Sequence, residues 1–497
     1  MIFNLILDPW IPVVTLDGSR RVIRPHEMIS ADIRAVDWHR EDLNIACLEF
    51  LVGLSFAALA PEDLEEWEDG LEIEPEELKQ AFARLAPAFN LTGEGPLFCQ
   101  DHSVLTGANE LPADALFLDS AGEKTIRDNK DLMVWRSRYD GLALPEAAMA
   151  LFAFQTYATS AGVGKRVGLR GGGPMVTLVI PGQNFWEMVW ANVPYGRPAR
   201  IEDFPWMRET ISSAKQAAAK GAKPAAGASV TLPIGPEMMV ETFFSMPRRV
   251  RLNCQEGRMI SFREQTYGTN YVGCLHPLTP NYTDKKTKDL IPRKVNVTRL
   301  GYENWIGTII PAEDGVGRER AANFRSFQER FPGQSVSVLI AGWNMNKATA
   351  ANFISSQPIL HDLSDRDQVL VRGMIKAADI VSGHTYRAIK DAMEIPFGMR
   401  VQTEFYIRTE AAMDRLCAGL AKGSSRQTTG AAWLEEMCRV ALSIFDEITL
   451  PCMTQRDLEI IPKIVKGRQA LAMRFNPKTR SSAPLRVLLE MDEEVEA

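Results

Sequence analysis

After Ser364 the chain carries four successive amphipathic stretches, at about 367–394, 401–422, 426–448 and 455–473, separated by Pro396 and Gly398, by Gly423 and Ser424, and by Pro451. Apolar residues recurring with a 3.6-residue period make each stretch a helix. Breaks of only a few residues oblige each helix to run back along its predecessor. The pattern therefore predicts an antiparallel four-helix bundle over residues 367–497. Nothing earlier in the chain keeps such a period. Residues 1–366 mix short β-type runs with isolated helices, which predicts a large mixed α/β globular domain. The fold class expected is α+β.

Within that first domain, segments 3–7 and 11–16 read as a hairpin turning at Asp8-Pro9, and helices are expected at 43–60, 75–84 and Leu144–Tyr157. Residues 119–141 are polar and aperiodic, a long loop of the kind that is either functional or disordered. Residues 211–229 have the Ala/Lys/Gly/Ser composition of a mobile insertion. A β-strand at 335–340 leads into Asn344-Met-Asn-Lys347, which reads as a polar hairpin tip.

Composition excludes several classes. With 45% hydrophobic and 24% charged residues, the chain is no disordered scaffold or fibrous repeat. A net charge of −7 lacks the basic balance of a dedicated duplex-binding domain, so contact with nucleic acid must use local patches or basic neighbours in an assembly. The seven cysteines are scattered, without a C-x-x-C pair, which fits buried thiols in a reducing compartment and predicts no metal site. The apolar run 43–60 contains Asn44 and Glu49, so it reads as a buried helix rather than a membrane span. These features point to a cytoplasmic protein.

The densest local signal is the glycine-rich segment 160–174, Ser-Ala-Gly162-Val-Gly164-Lys-Arg-Val-Gly168-Leu-Arg-Gly-Gly-Gly-Pro174. Its first three glycines are spaced one residue too widely for the dinucleotide fingerprint, and they precede a strand instead of a helix. A phosphate-binding P-loop needs Gly at position 159 and Ser or Thr after Lys165, where Thr159 and Arg166 stand. Two readings stay open: a tight turn between helix and strand, or a Cβ-poor backbone that approaches a sugar-phosphate partner beside Lys165 and Arg166. Catalytic motifs are absent. The six histidines form no H-x-x-x-H pair, no G-x-S-x-G elbow occurs, and Glu62, Glu65, Glu66 and Glu68 lie on polar helix faces. The basic cluster from Lys285 to Lys294 reads as a solvated loop.

Several segments in order resemble one known family. Leu5-Ile-Leu-Asp-Pro-Trp-Ile-Pro-Val13, Pro96-Leu-Phe-Cys-Gln100, the glycine segment through Pro174, Gly342-Trp-Asn-Met-Asn-Lys-Ala348 and the C-terminal helical region together resemble the CasA family, the large subunit of the type I-E CRISPR surveillance complex Cascade. The resemblance spans the whole chain. It implies a non-catalytic, cofactor-free subunit that reads the protospacer-adjacent motif (PAM) on duplex DNA, helps to open the duplex for the guide RNA, and offers a docking surface to the helicase-nuclease. The implied partners are the crRNA-bound backbone, crRNA 5′-end-binding and small subunits, the double-stranded target, and that nuclease, with no membrane.

By the same resemblance, the glycine loop falls on Gly162, Val163, Gly164 and Lys165. The groove-reading asparagine of the hairpin falls on Asn346, the wedge on Lys347 and the small residue after it on Ala348. A lysine at the wedge departs from the family's usual amide. A basic strand residue falls on Arg263, with Gln265 as the competing register, and a mobile loop over 122–140 places its contacts at Asn129 and Lys130. Cysteine pairs of some relatives fall on Leu144-Pro-Glu-Ala147 and on the region of Cys254, so no zinc is expected. Two other classes remain as alternatives, a metal-independent nuclease or transferase and a purely structural scaffold.

Overall fold

The computed structural model describes residues 2–131, 138–160, 162–182, 184–215, 227–233, 238–273, 275–313, 315–346, 349–393, 400–451 and 458–491. The chain forms two compact units. The first comprises Met1–Thr298, Ala321–Arg330 and Ser337–Pro358, and the second comprises Arg299–Arg320, Phe331–Val336 and Ile359–Ala497.

The first unit is organised around helix α1, Glu41–Leu59. Its residues are apolar on every side, so the helix has no solvent face and sinks into the core. Phe50, at its middle, meets five other rings edge-on: Trp10 at 5.3 Å, Phe152 at 5.7 Å, Phe98 and Phe244 at 5.8 Å, and Phe89 at 6.1 Å. Each such pair adds about 0.5–1.5 kcal/mol beyond burial. The charge that α1 carries inward is answered. Arg170 donates to both carboxylate oxygens of Glu49, at 2.6 and 3.1 Å, and Tyr157 donates its hydroxyl to the same group. The segment 43–60 is thus a core helix, although it is long and apolar enough to cross a membrane.

Helix α2, Leu144–Tyr157, forms over the expected span. Around these helices lie short sheets. Strand β1, Asn109–Pro112, β2, Val176–Ile180, β3, Arg249–Gln255, β4, Arg258–Gln265, β5, Val336–Asn346, and β6, Thr349–Ser356, are the ones that position the site. Strand β4 pairs antiparallel with β3 on one side and with β1 on the other. Strand β5 pairs antiparallel with β6 and with β2.

Two local expectations are corrected. Segments 3–7 and 11–16 do not pair with each other. Phe3–Asn4 pairs with Asn90–Thr92, while Ile11–Thr15 pairs with Arg20–Ile23 and Ile33–Val36. The reason is Asn4, whose side-chain oxygen accepts from the amides of Ile6 and Leu7 at 2.9 and 3.0 Å and coils the chain before a ladder can form. The loop 119–141 also holds a short helix, Glu123–Arg127. Its two ends meet at Asp119, which accepts from Arg40 and from Arg138, each at 3.1 Å.

In the second unit, helices α3, Asp365–Met393, α4, Arg400–Ala421, α5, Arg426–Thr449, and α6, Ile460–Phe475, pack together as the four-helix region the sequence pattern requires. Trp433 is fully buried at its centre, edge-on to Tyr302 at 5.7 Å, and donates its indole N–H to the Met374 carbonyl at 3.0 Å. The cysteines Cys47, Cys99, Cys254, Cys417 and Cys438 are free thiols. Burial pushes Cys47 and Cys417 up to about 12, so both are held as inert thiols.

Candidate nucleic-acid interface

The glycine segment leaves the end of α2, is exposed at residues 162 and 163, and is largely buried from Gly168 before entering β2. Gln155, in the last turn of α2, prepares its seat. The amide of Gln155 accepts from the Arg248 N–H at 2.9 Å and donates to the Arg248 carbonyl at 3.0 Å, as a neighbouring strand would. The Arg248 side chain, 4% exposed, then reaches under the loop. It donates to the carbonyl of Arg166 at 2.6 Å, to that of Thr159, and to Glu264 Oε1 at 2.7 Å.

Glu264 Oε2 accepts from Lys165 at 2.7 Å. One buried carboxylate thus lies between two cations. Arg166 turns aside to donate to Ser213 Oγ at 2.7 Å and lies over the Tyr267 ring. The Tyr267 amide donates to the Gly164 carbonyl at 2.7 Å. Gly164 has φ +73°, and a Cβ there would stand 3.0 Å from Thr266 Cβ and 3.1 Å from the Tyr267 ring, so glycine is required on both counts. Above these anchors Val163 projects into solvent, 84% exposed.

The second half of the segment joins a different neighbour. Gly173, with φ +62°, donates its amide to the Tyr157 carbonyl at 2.9 Å, and a Cβ on it would overlap the Met345 side chain of β5. Pro174 bridges to Lys294, and Val295 bridges to Asn344 of β5. The Lys294 stem and ammonium lie over Gly171, 3.4–3.5 Å from where a Cβ would sit. The glycine segment, the basic segment ending at Lys294 and the hairpin of β5 and β6 are therefore contiguous.

The basic segment is an ordered turn. Asn281–Thr283 pairs with Leu290–Pro292, and Asp284 Oδ1 accepts from the amides of Lys286 and Thr287 at 2.8 and 2.9 Å. Those backbone donors hold its carboxyl below the usual range and leave Lys285, Lys286 and Lys288 exposed around the turn. The hairpin is fixed at its base by Trp343 opposite Phe353, edge-on at 5.4 Å. A register shift between Asn344 and Met345 re-aims the strand end. Asn346 is exposed opposite Thr349. Lys347 and Ala348 lie outside the described residues.

The structure brings Gly162, Val163, Gly164 and Lys165 together on one loop, and brings the strand that ends at Asn346 against the far end of the same segment. It does not bring Arg263 to them. On β4 the inward side chains are Phe262 and Glu264, while Arg263 and Gln265 face outward, Arg263 opposite Arg251 and Glu110. The β4 residue that touches the glycine loop is Glu264. Asn129 and Lys130 are exposed next to Asp128, which accepts from Lys130 at 3.2 Å.

Sequence reasoning missed Arg248, Glu264 and Lys294. Period-two alternation separates inward Arg248 and Val250 from Arg249 and Arg251, and Arg249 instead pairs with Asp101 at 2.6 Å. The contact between Lys294 and Gly171 had no local signal. The regions of residues 144–147 and 254–257 do come close, through the pairing of Arg258 with Ala143. Among the described residues no three His, Cys, Asp or Glu side chains are grouped to hold a metal.

A family model, CRISPR-associated protein Cse1, matches residues 4–444. No curated protein matches the chain significantly. Among solved structures, Cse1 of Thermobifida fusca superposes with a TM-score of 0.72 at 16% identity, over 99% of this chain and 98% of its own. CasA (Cse1) of Thermus thermophilus gives 0.71 at 15% identity, over 95% and 98%. A chain of a CRISPR RNA-guided surveillance complex gives 0.68 at 16% identity, over 95% and 99%.

Proposed function

This chain belongs to the CRISPR-associated Cse1 family, and on that premise we propose that it is the non-catalytic DNA-recognition subunit of a crRNA-guided type I-E Cascade complex. Its task is to read the PAM from the minor groove, wedge the duplex open to start R-loop formation, and help recruit the helicase-nuclease for antiviral defence. The observation that carries the reading is the continuity of the glycine segment with the hairpin, through Gly173 against Met345.

A groove reader needs three things in one place. It needs backbone that can approach closely, an apolar or polar tip that enters, and cations that follow phosphate. The Gly162–Gly164 turn with exposed Val163 supplies the first two, Asn346 supplies an amide, and Lys294 with Lys285, Lys286 and Lys288 supplies the third. The minor groove presents a degenerate pattern, so a reader placed there separates A·T from G·C and senses groove shape, which predicts a relaxed motif. Inserted side chains unstack a base step at a cost of a few kcal/mol. Guide pairing then proceeds as a nearly balanced exchange. The net charge of −7 suits this division of labour, since basic neighbours hold the phosphates and bulk DNA is held weakly.

One observation favours the scaffold reading, namely that Lys165 already has a carboxylate partner. The deciding experiment is duplex binding by the guide-loaded remainder of the complex, with and without this chain. Targets match the guide and differ only in the flanking trinucleotide, at fixed salt. Flank-dependent binding that appears only with the chain is expected, and Asn346→Ala is expected to flatten it. Assembly without any change in flank dependence overturns the reading in favour of a scaffold.

A further inference from the structure

A cleft of about 440 Å³ opens between α3 and α6 of the second unit. Both helices present a stripe at i, i+3, i+4 and i+7 spacing. From α3 come His384, Arg387 and Asp391, and from α6 come Lys463, Lys466 and Arg474. Arg387, Lys466 and Arg474 thus line the cleft with the single carboxylate of Asp391. The floor between them is aliphatic, formed by Ala388, Ala392 and Leu471.

The cations are placed by the fold. Arg474 donates Nη1 to His384 Nδ1 at 2.6 Å, and since arginine is always a donor the imidazole must be the acceptor and neutral. Burial, and then the Arg474 and Arg387 charges, push His384 below its ordinary value. Like charges converging on a concave surface attract and focus an anion. Guanidinium forks match the oxygens of phosphate, and an ammonium beside them adds a point charge.

The size and lining restrict the anion further. At about 440 Å³ the cleft has room for more than a bare phosphate. A ligand that fills it needs a carbon body to lie on the aliphatic floor. Among the described residues no aromatic side chain lines the cleft, so they offer no stacking face to a base. We infer that the cleft between α3 and α6 is a sugar-phosphate site, with cations on the phosphate and the alanine and leucine floor under the sugar. Two sources share that chemistry, a free sugar phosphate and the backbone of a nucleic-acid strand bound without regard to sequence. The inference is independent of the groove-reading assignment, which concerns the other unit.

The test titrates the full chain, without guide or duplex, by calorimetry at fixed ionic strength. Four probes are compared: ribose 5-phosphate, an abasic deoxyribose-phosphate oligomer, inorganic phosphate and glucose. Saturable binding of a sugar phosphate is expected, with inorganic phosphate weaker by about tenfold and glucose silent. Arg474→Gln and Lys466→Gln are each expected to weaken it by about tenfold, and Arg474→Lys by less. Both positions are exposed, and unchanged circular dichroism confirms folding. Equal binding of ribose 5-phosphate and the oligomer assigns a free sugar phosphate, and binding of the oligomer alone assigns a strand. Failure of both to saturate overturns the site, as does wild-type affinity in the Gln variants or equal affinity for inorganic phosphate.

Discussion

Lys165 and Glu264 meet at 2.7 Å across 99 residues of chain. The other oxygen of the same carboxylate takes buried Arg248, so Glu264 cannot lose its charge without stranding a guanidinium in the core. Removing one partner of a buried pair costs about 3–5 kcal/mol. Glu264→Gln is therefore expected to lower the unfolding free energy by about that amount in a urea titration. A loss below about 1 kcal/mol would show that Arg248 finds its counter-charge elsewhere.

On the proposed reading, Gly164 bears on duplex binding more than on stability. A Val there must adopt φ +73°, which costs about 1–2 kcal/mol, and must also push against Thr266. The least costly relief is displacement of the exposed loop. Gly164→Val is expected to leave complex assembly intact and to reduce flank-dependent duplex affinity by about tenfold. Retained affinity in the same binding assay favours the turn-only role.

Gly173 tests the joint between glycine segment and hairpin. Gly173→Ala places a methyl into Met345 and is expected to cost about 2 kcal/mol in thermal or chemical unfolding. Met345→Ala on the same background should recover about half by clearing the overlap, leaving the dihedral penalty. Strictly additive losses from the two changes would mean that these side chains do not share the space.

His276 gives the first unit a pH signature. The ring is buried edge-on to Phe243 at 5.1 Å, and its Nδ1 accepts from the Leu278 amide at 3.2 Å. Burial, with Arg170 nearby, holds it well below the ordinary value of 6.5. The unfolded chain therefore takes up a proton below pH 6.5 that the folded chain refuses. The stability contribution is full above pH 6.5 and falls as pH drops below it, by up to about 1.4 kcal/mol per pH unit. His276→Asn keeps an acceptor for the Leu278 amide and is expected to flatten the unfolding free energy between pH 6.5 and 5. An unchanged slope assigns it to other groups.

The helices were legible because their patterns are long. Leu144–Tyr157 forms over the expected span, and the bundle helices begin and end close to the breaks at Gly423 and Pro451. The α+β class follows from that contrast with the first domain. Short segments were less legible because one side chain can redirect them, as Asn4 does to residues 5–8. The glycine loop was visible as composition, but its anchors were not. An inward Glu264 on a strand whose neighbours Arg263 and Gln265 face water defeats any search for exposed basic residues, and its partners come from 16 and 99 residues away.

The glycine segment is tied down along its length, at the Gly164 carbonyl, the Lys165 ammonium, the Arg166 carbonyl and guanidinium, the Arg170 guanidinium and the Gly173 amide. A run this rich in glycine would otherwise keep a large conformational freedom. That freedom is surrendered when the unit folds, before any partner arrives. On the proposed reading, an incoming duplex would meet a preset surface and lose little affinity to loop ordering. Weakening an anchor should therefore act at a distance from the partner, shortening the lifetime of the bound state more than slowing its formation.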